Sequence, residues 1–107
     1  MNRMVLEKML AEGKDSALLR YTLGSICLKE DLFDAAAEHL RQAVQLDPNH
    51  SASWKGYGTA LMKLKRNQDA MRAYETGMAV AKNKGDIQAV KEMGVFLKRL
   101  KKMEDSA

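Results

Sequence analysis

The sequence predicts an all-α fold, a stack of about six helices, and three observations carry that prediction. The chain resembles itself at a spacing of 34 residues, its apolar residues recur with helical period, and helix-favouring Ala, Leu and Lys are its commonest residues. With 107 residues, 46% hydrophobic and 30% charged, it has the size and make-up of one folded domain.

The repeat is read residue by residue. Leu23-Gly24 recurs as Tyr57-Gly58, Cys27 as Leu61, Ala36 as Ala70, Leu40 as Tyr74 and Ala43 as Gly77. Each copy holds two short amphipathic helices. Leu19, Leu23, Ile26 and Cys27 share one helical face in the first copy, and Ala36, Leu40, Ala43 and Val44 share another. The small residues Gly24, Gly58, Ala36 and Ala70 let two antiparallel helices approach closely, while Leu40 and Tyr74 fill the space between them. Asp15 or Ser16 caps a helix starting near Ala17, and Lys29-Glu30-Asp31 marks a turn before the next, near Phe33. Pro48 ends that helix, because proline disfavours helical geometry in the residue before it. Ser51 offers the following cap, and Arg66-Asn67 the following turn.

These residues resemble the tetratricopeptide repeat, a 34-residue helix–turn–helix unit. The second copy has that family's early tryptophan as Trp54, with Gly58, Ala70 and an aromatic at Tyr74; the first has Leu23-Gly24, Phe33, Ala36, Leu40, Ala43 and Pro48. Arg20 stands in place of the tryptophan, and Lys82 in place of the closing proline. The resemblance implies a right-handed α-α superhelix in a single domain. Residues 1–16 form an N-terminal half-repeat, 17–50 and 51–84 two full repeats, 85–103 a capping helix and 104–107 a tail. Such arrays draw their core from neighbour stacking, and two repeats between two half-units suffice for it.

The last helix, expected from about Asp86 to Lys102, carries two apolar stripes. Ile87, Val90, Gly94 and Leu97 form the stripe matched to the closing helix of such arrays. Ala89, Met93, Phe96, Leu100 and Met103 form another, read either as part of a broad buried face or as a self-association surface around Met93, Phe96 and Leu100.

Catalytic signatures are missing. His39 and His50 have no second ligand at metal-site spacing and are read as surface residues. Cys27 lies on the inward stripe and reads as a buried structural thiol. No glycine-rich phosphate loop follows a strand, and the carboxylate pairs Glu30-Asp31 and Glu104-Asp105 fall in a turn and a tail. The expectation is a non-enzyme with no cofactor and no metal. A single cysteine, no secretory apolar run and no stretch long enough to span a bilayer point to a soluble cytoplasmic protein without membrane contact.

The resemblance implies a concave groove, lined by the first helix of each pair, that holds a peptide. By register its lining is Leu18, Tyr21, Ser25, Leu28 and Lys29, then Ala52, Lys55, Thr59, Met62 and Lys63. Tyr21 offers an aromatic platform, Met62 an adaptable apolar contact, and Lys29, Lys55 and Lys63 favour an acidic partner. The family's two-carboxylate clamp is not matched, since its places fall on Tyr21, Ser25, Gly56, Asp86 and Val90.

Two other classes compete. The net charge of +4 is uneven: residues 1–50 sum to −2, residues 51–103 to +8, and Glu104 with Asp105 to −2. The basic second half raises nucleic-acid binding, ranked below peptide binding because Tyr57 and Tyr74 look committed to packing and few aromatics remain to stack bases. The same asymmetry raises a structural homo-oligomer whose acidic and basic halves meet head to tail. The expected partner is another protein or peptide, acidic in character.

Overall fold

The computed structural model describes residues 2–106, which form six α-helices and no strand. They are α1 (Arg3–Ala11), α2 (Ala17–Lys29), α3 (Phe33–Leu46), α4 (Ser51–Lys63), α5 (Asn67–Asn83) and α6 (Ile87–Ser106). Side-chain caps set three of the six starts, and α3, α4 and α5 begin without one. The cap expected at Ser51 is not made, since Ser51 is the first helical residue and His50 precedes it. Asn2 and Ser16 accept hydrogen bonds from the Met4 and Leu19 amides, and Asp86 accepts one from Ala89 N at 3.1 Å, each relieving an orphan amide. Gly13 and Gly85 take left-handed conformations just past α1 and α5, where glycine carries no Cβ penalty.

The helices pair as α2 with α3 and α4 with α5, and α6 closes over α5. The first helices α2, α4 and α6 touch in succession, whereas α3 and α5 have no contact with each other. The row of first helices is therefore the tight, concave side of the stack. On the other side the second helices splay, leaving a crevice of about 320 Å³ lined by Asp34, Ala37, Glu38, Arg41, Tyr57, Leu64 and Arg66. The body measures 45 × 31 × 20 Å, and its least dimension fits two helix layers of about 10 Å each.

One packing device recurs. A Cβ added at Gly24 would collide with Leu40, and one added at Gly58 would lie 2.7 Å from the Tyr74 ring. Each first helix thus carries a notch filled by a large side chain from its second helix. Leu40 and Tyr74 are fully buried as a result. The Tyr74 hydroxyl stays satisfied, donating to Thr59 Oγ1 at 2.9 Å while Thr59 donates to the Lys55 carbonyl.

The end of the second copy departs from the first. Pro48 stops α3 at 14 residues; with Lys82 at the equivalent place, α5 continues to 17. The next linker is one residue shorter, so α4 starts at Ser51 and α6 at Ile87, a spacing of 36 instead of 34. Two residues correspond to about 200° of helix rotation, enough to exchange the inward and outward faces of α6. The second stripe consequently supplies most of the inward face, joined by Leu97 of the first. Ala89, Met93, Leu97 and Leu100 are buried against the last repeat, with Phe96 half-buried and stacked on Tyr74 at 5.7 Å. Ile87 is exposed, and Val90 and Gly94 are only half-buried. The self-association surface on Met93, Phe96 and Leu100 is corrected accordingly: the chain's own core covers Met93 and Leu100 completely. The expected tail is also helical through Ser106, with Gln68 bonding Glu104 at 3.1 Å.

The notch makes a paired prediction. Gly58→Ala should destabilise by about 1–3 kcal/mol, because the buried Tyr74 ring has no room to retreat. Gly94→Ala should stabilise by about 0.5–1 kcal/mol, since its new Cβ meets only the Met78 methyl at an ordinary 3.5 Å. Urea unfolding followed by circular dichroism measures both.

Candidate functional site

The concave face is built from α2, α4 and α6. On α2, Leu18 and Lys29 are exposed, while Tyr21, Ser25 and Leu28 are half-buried. The Tyr21 ring meets the His50 ring edge-on, with centroids 4.8 Å apart, so the aromatic platform is held from behind. His50 is correspondingly no free surface residue; its Nδ1 lies 2.7 Å from Ser53 Oγ. His39 is half-buried as well, with Nδ1 3.2 Å from Arg20 Nη1. Desolvation, followed by the Arg20 charge, lowers its pKa.

On α4, Ala52, Lys55, Thr59 and Met62 are half-buried and Lys63 is exposed. Two of these are already engaged. Thr59 positions Tyr74, and Lys55 Nζ lies 2.9 Å from Glu92 on α6. The hydrogen bond from Lys55 holds the Glu92 carboxyl below its ordinary pKa. Lys63 Nζ sits 6.0 Å from the Phe33 ring centroid and has no carboxylate partner among the described residues.

The third wall was not legible at a constant 34-residue spacing. With α6 starting 36 residues after α4, the groove positions on it are Gln88, Lys91, Val95, Lys98 and Arg99, all exposed. Their signal in the sequence is Met93-Gly94, a third instance of the Leu23-Gly24 and Tyr57-Gly58 pair, displaced by two residues. The same shift moves the clamp positions on this helix from Asp86 and Val90 to Gln88 and Glu92. The clamp remains unmatched.

One rung of the groove is basic on all three helices. Lys29, Lys63 and Arg99 occupy the same repeat position on α2, α4 and α6, and each is exposed and unpaired with any carboxylate among the described residues. Arg3, Lys14, Arg20, Arg41, Lys55, Arg66 and Arg72 are ion-paired, whereas Lys8, Lys65, Lys82, Lys84, Lys91, Lys98, Lys101 and Lys102, like the rung, have no carboxylate partner among the described residues. What distinguishes the rung is its shared repeat position on three adjacent helices. Half-buried Leu28 and Met62 directly precede Lys29 and Lys63 on their helices.

No group of three His, Cys, Asp or Glu side chains among the described residues is placed to hold a metal ion. No described helix is long and apolar enough to cross a membrane. Cys27 is buried, and its burial pushes the thiol pKa up, the reverse of what a nucleophile needs.

A family model described as the tetratricopeptide repeat matches residues 28–93. A TPR repeat-containing protein of Pseudomonas aeruginosa is 48% identical over 95 residues, covering 89% of this chain and 90% of that protein. A Bordetella parapertussis protein solved in solution superposes with a TM-score of 0.81 at 43% identity, covering 97% of this chain and 90% of its own. A tetratricopeptide repeat domain protein of Salinibacter ruber, at 24% identity and a TM-score of 0.75, shares the fold over 81% of this chain and 97% of its own. The chain belongs to the tetratricopeptide-repeat family. Members of that family serve in general as scaffolds for protein–protein interaction.

Burial of Cys27 has a direct readout. Its thiol should react with a disulfide reagent on the order of 100-fold or more slowly in the native protein than in urea, since reaction requires opening of the core.

Proposed function

We propose that this chain binds an extended acidic segment of another protein across the concave face of α2, α4 and α6. The observation that carries this reading is the unpaired basic rung Lys29, Lys63 and Arg99, with half-buried Leu28 and Met62 next to Lys29 and Lys63 on their helices. Carboxylates of the partner meet the three cations, and its apolar side chains meet Leu28, Met62 and Val95. The exposed positions Lys91 and Lys98 extend the same field along α6 and steer the encounter. Tyr21 and Ser25 contribute a ring face and a hydroxyl at the α2 end. Binding is passive: no cofactor enters and no covalent step occurs. A reducing, cytoplasmic setting suits a chain whose one cysteine is buried and free.

Lys55 plays a modified part. Its ion pair with Glu92 occupies it in the unbound protein, so an acidic partner must compete with Glu92 for it. Nucleic acid is the weaker reading, because base stacking wants open aromatic faces. Tyr74 is buried, Phe96 is stacked on Tyr74 with Arg99 over it, and the Trp54 ring N–H is bound to the Pro48 carbonyl.

The test is fluorescence anisotropy with a labelled peptide of alternating Glu and Leu and a matched Lys and Leu control. The acidic peptide should bind, more weakly as salt rises, and the basic one should not. Combining Lys29→Glu, Lys63→Glu and Arg99→Glu should weaken binding tenfold or more, at about 0.2–1 kcal/mol or above per reversed exposed contact, with unchanged helical circular dichroism. Glu92→Gln should strengthen it several-fold by releasing Lys55. Equal binding by the triple variant, or indifference between the two peptides, would refute the reading.

A further inference from the structure

The first repeat is held by a polar tie that the second lacks. Arg20 and Trp54 occupy one repeat position, and His39 and Ala73 another, 34 residues apart in each case. In the second copy Trp54 packs against the apolar cluster that holds Ala73. In the first, Arg20 of α2 faces His39 of α3, with Nη1 3.2 Å from the imidazole Nδ1. Asp15 grips the same guanidinium from its other edge, through Nε at 2.9 Å and Nη2 at 3.1 Å. The Arg20 side chain is only 16% exposed, and His39 is half-buried.

This geometry fixes the protonation of the imidazole. A guanidinium stays protonated throughout the physiological range, with hydrogens to give and no lone pair to accept with. Nδ1 must therefore be the acceptor, which puts the ring hydrogen of neutral His39 on Nε2. A second proton has only Nδ1 to bind. It would replace a lone pair by an N–H aimed at Arg20 and set two like charges side by side. Burial first, and then the Arg20 charge, push the His39 pKa down. Glu7 of α1, Glu38 of α3 and Asp15 oppose them, but Asp15 is committed to Arg20 and Glu38 to Arg41. Hydrogen bonds to those arginines hold both carboxyls below the ordinary carboxylate range. Between about pH 8 and pH 6, His39 is accordingly the member of this group that changes charge.

The tie lies beside the joint that closes the repeat. Arg20 is one helical turn before Gly24, and His39 directly precedes Leu40, which fills the Gly24 notch. Cys27 is sealed in the same joint with Ala36, Ala37 and Leu40 of α3.

We propose that the Asp15–Arg20–His39 tie is a pH-sensitive latch: proton uptake by His39 breaks the link between α2 and α3 and loosens the first repeat. The second repeat, with Trp54 and Ala73 in these places, has no titratable group there. The folded protein takes this proton less readily than the unfolded chain does. The latch therefore contributes stability that is present above the ordinary histidine pKa of about 6.5 and is lost as pH falls through the lower native value. Acidity is thereby coupled to α2, the helix that brings Tyr21 and Lys29 to the concave face. This holds whatever the groove binds.

Two measurements test the latch. Imidazole NMR of the wild-type protein reads the tautomer and the titration of His39 directly. The neutral ring should carry its hydrogen on Nε2 and titrate below the ordinary histidine value, and Arg20→Gln should move that titration upward. The Cys27 thiol in turn reports separation of α2 from α3. Its rate with a pyridyl disulfide, relative to the rate in urea at the same pH, should rise about twofold or more between pH 8 and pH 6 in wild type. His39→Ala, which installs the residue of the second repeat, should remove that pH dependence. A neutral ring protonated on Nδ1, a titration at or above the ordinary value, or the same pH dependence in wild type and His39→Ala would each overturn the proposal.

Discussion

The stack rests on a close approach between helices that only a missing side chain permits. In α2 and α4 a glycine removes the Cβ, and in α3 and α5 a large residue 16 positions later in the chain fills the gap: Leu40 against Gly24, Tyr74 against Gly58. Each pair closes at the distance these side chains set, and the next first helix then lies over the joint, as Gly56 of α4 does over Leu40. Close packing makes this a sharp constraint, because neither a void nor an added methylene is tolerated at the joint. The polar needs of the joint are met locally. Thr59 receives the Tyr74 hydroxyl, and no buried side-chain nitrogen or oxygen among the described residues lacks a partner.

A single difference between the copies propagates further than its size suggests. Pro48 terminates α3, whereas Lys82 lets α5 gain most of a turn, and α6 begins two residues late. The resulting rotation commits Met93 and Leu100 to the core and presents Val95, Lys98 and Arg99 on the concave side. One absent proline therefore shapes the face that α6 adds to the row of first helices.

The ion pair between Lys55 and Glu92 holds α4 to α6 across the concave side, which keeps the wall in place while reducing the positive field there.

The sequence by itself determined the repeat, the six helices and most of the core. Those features follow from local rules: spacing at 34 residues, amphipathic period, a cap at Ser16, and small residues facing large ones. Its repeat register carries over from α2 to α4, because helix lengths match there. Only the tertiary structure decided which face of α6 turns inward. Helix length past Lys82 depends on how the chain packs after the repeat pattern ends, and a slip of two residues inverts an amphipathic helix. Only the fold, likewise, showed that Lys55 and Thr59 are already engaged, since their partners Glu92 and Tyr74 lie 37 and 15 residues away in the chain.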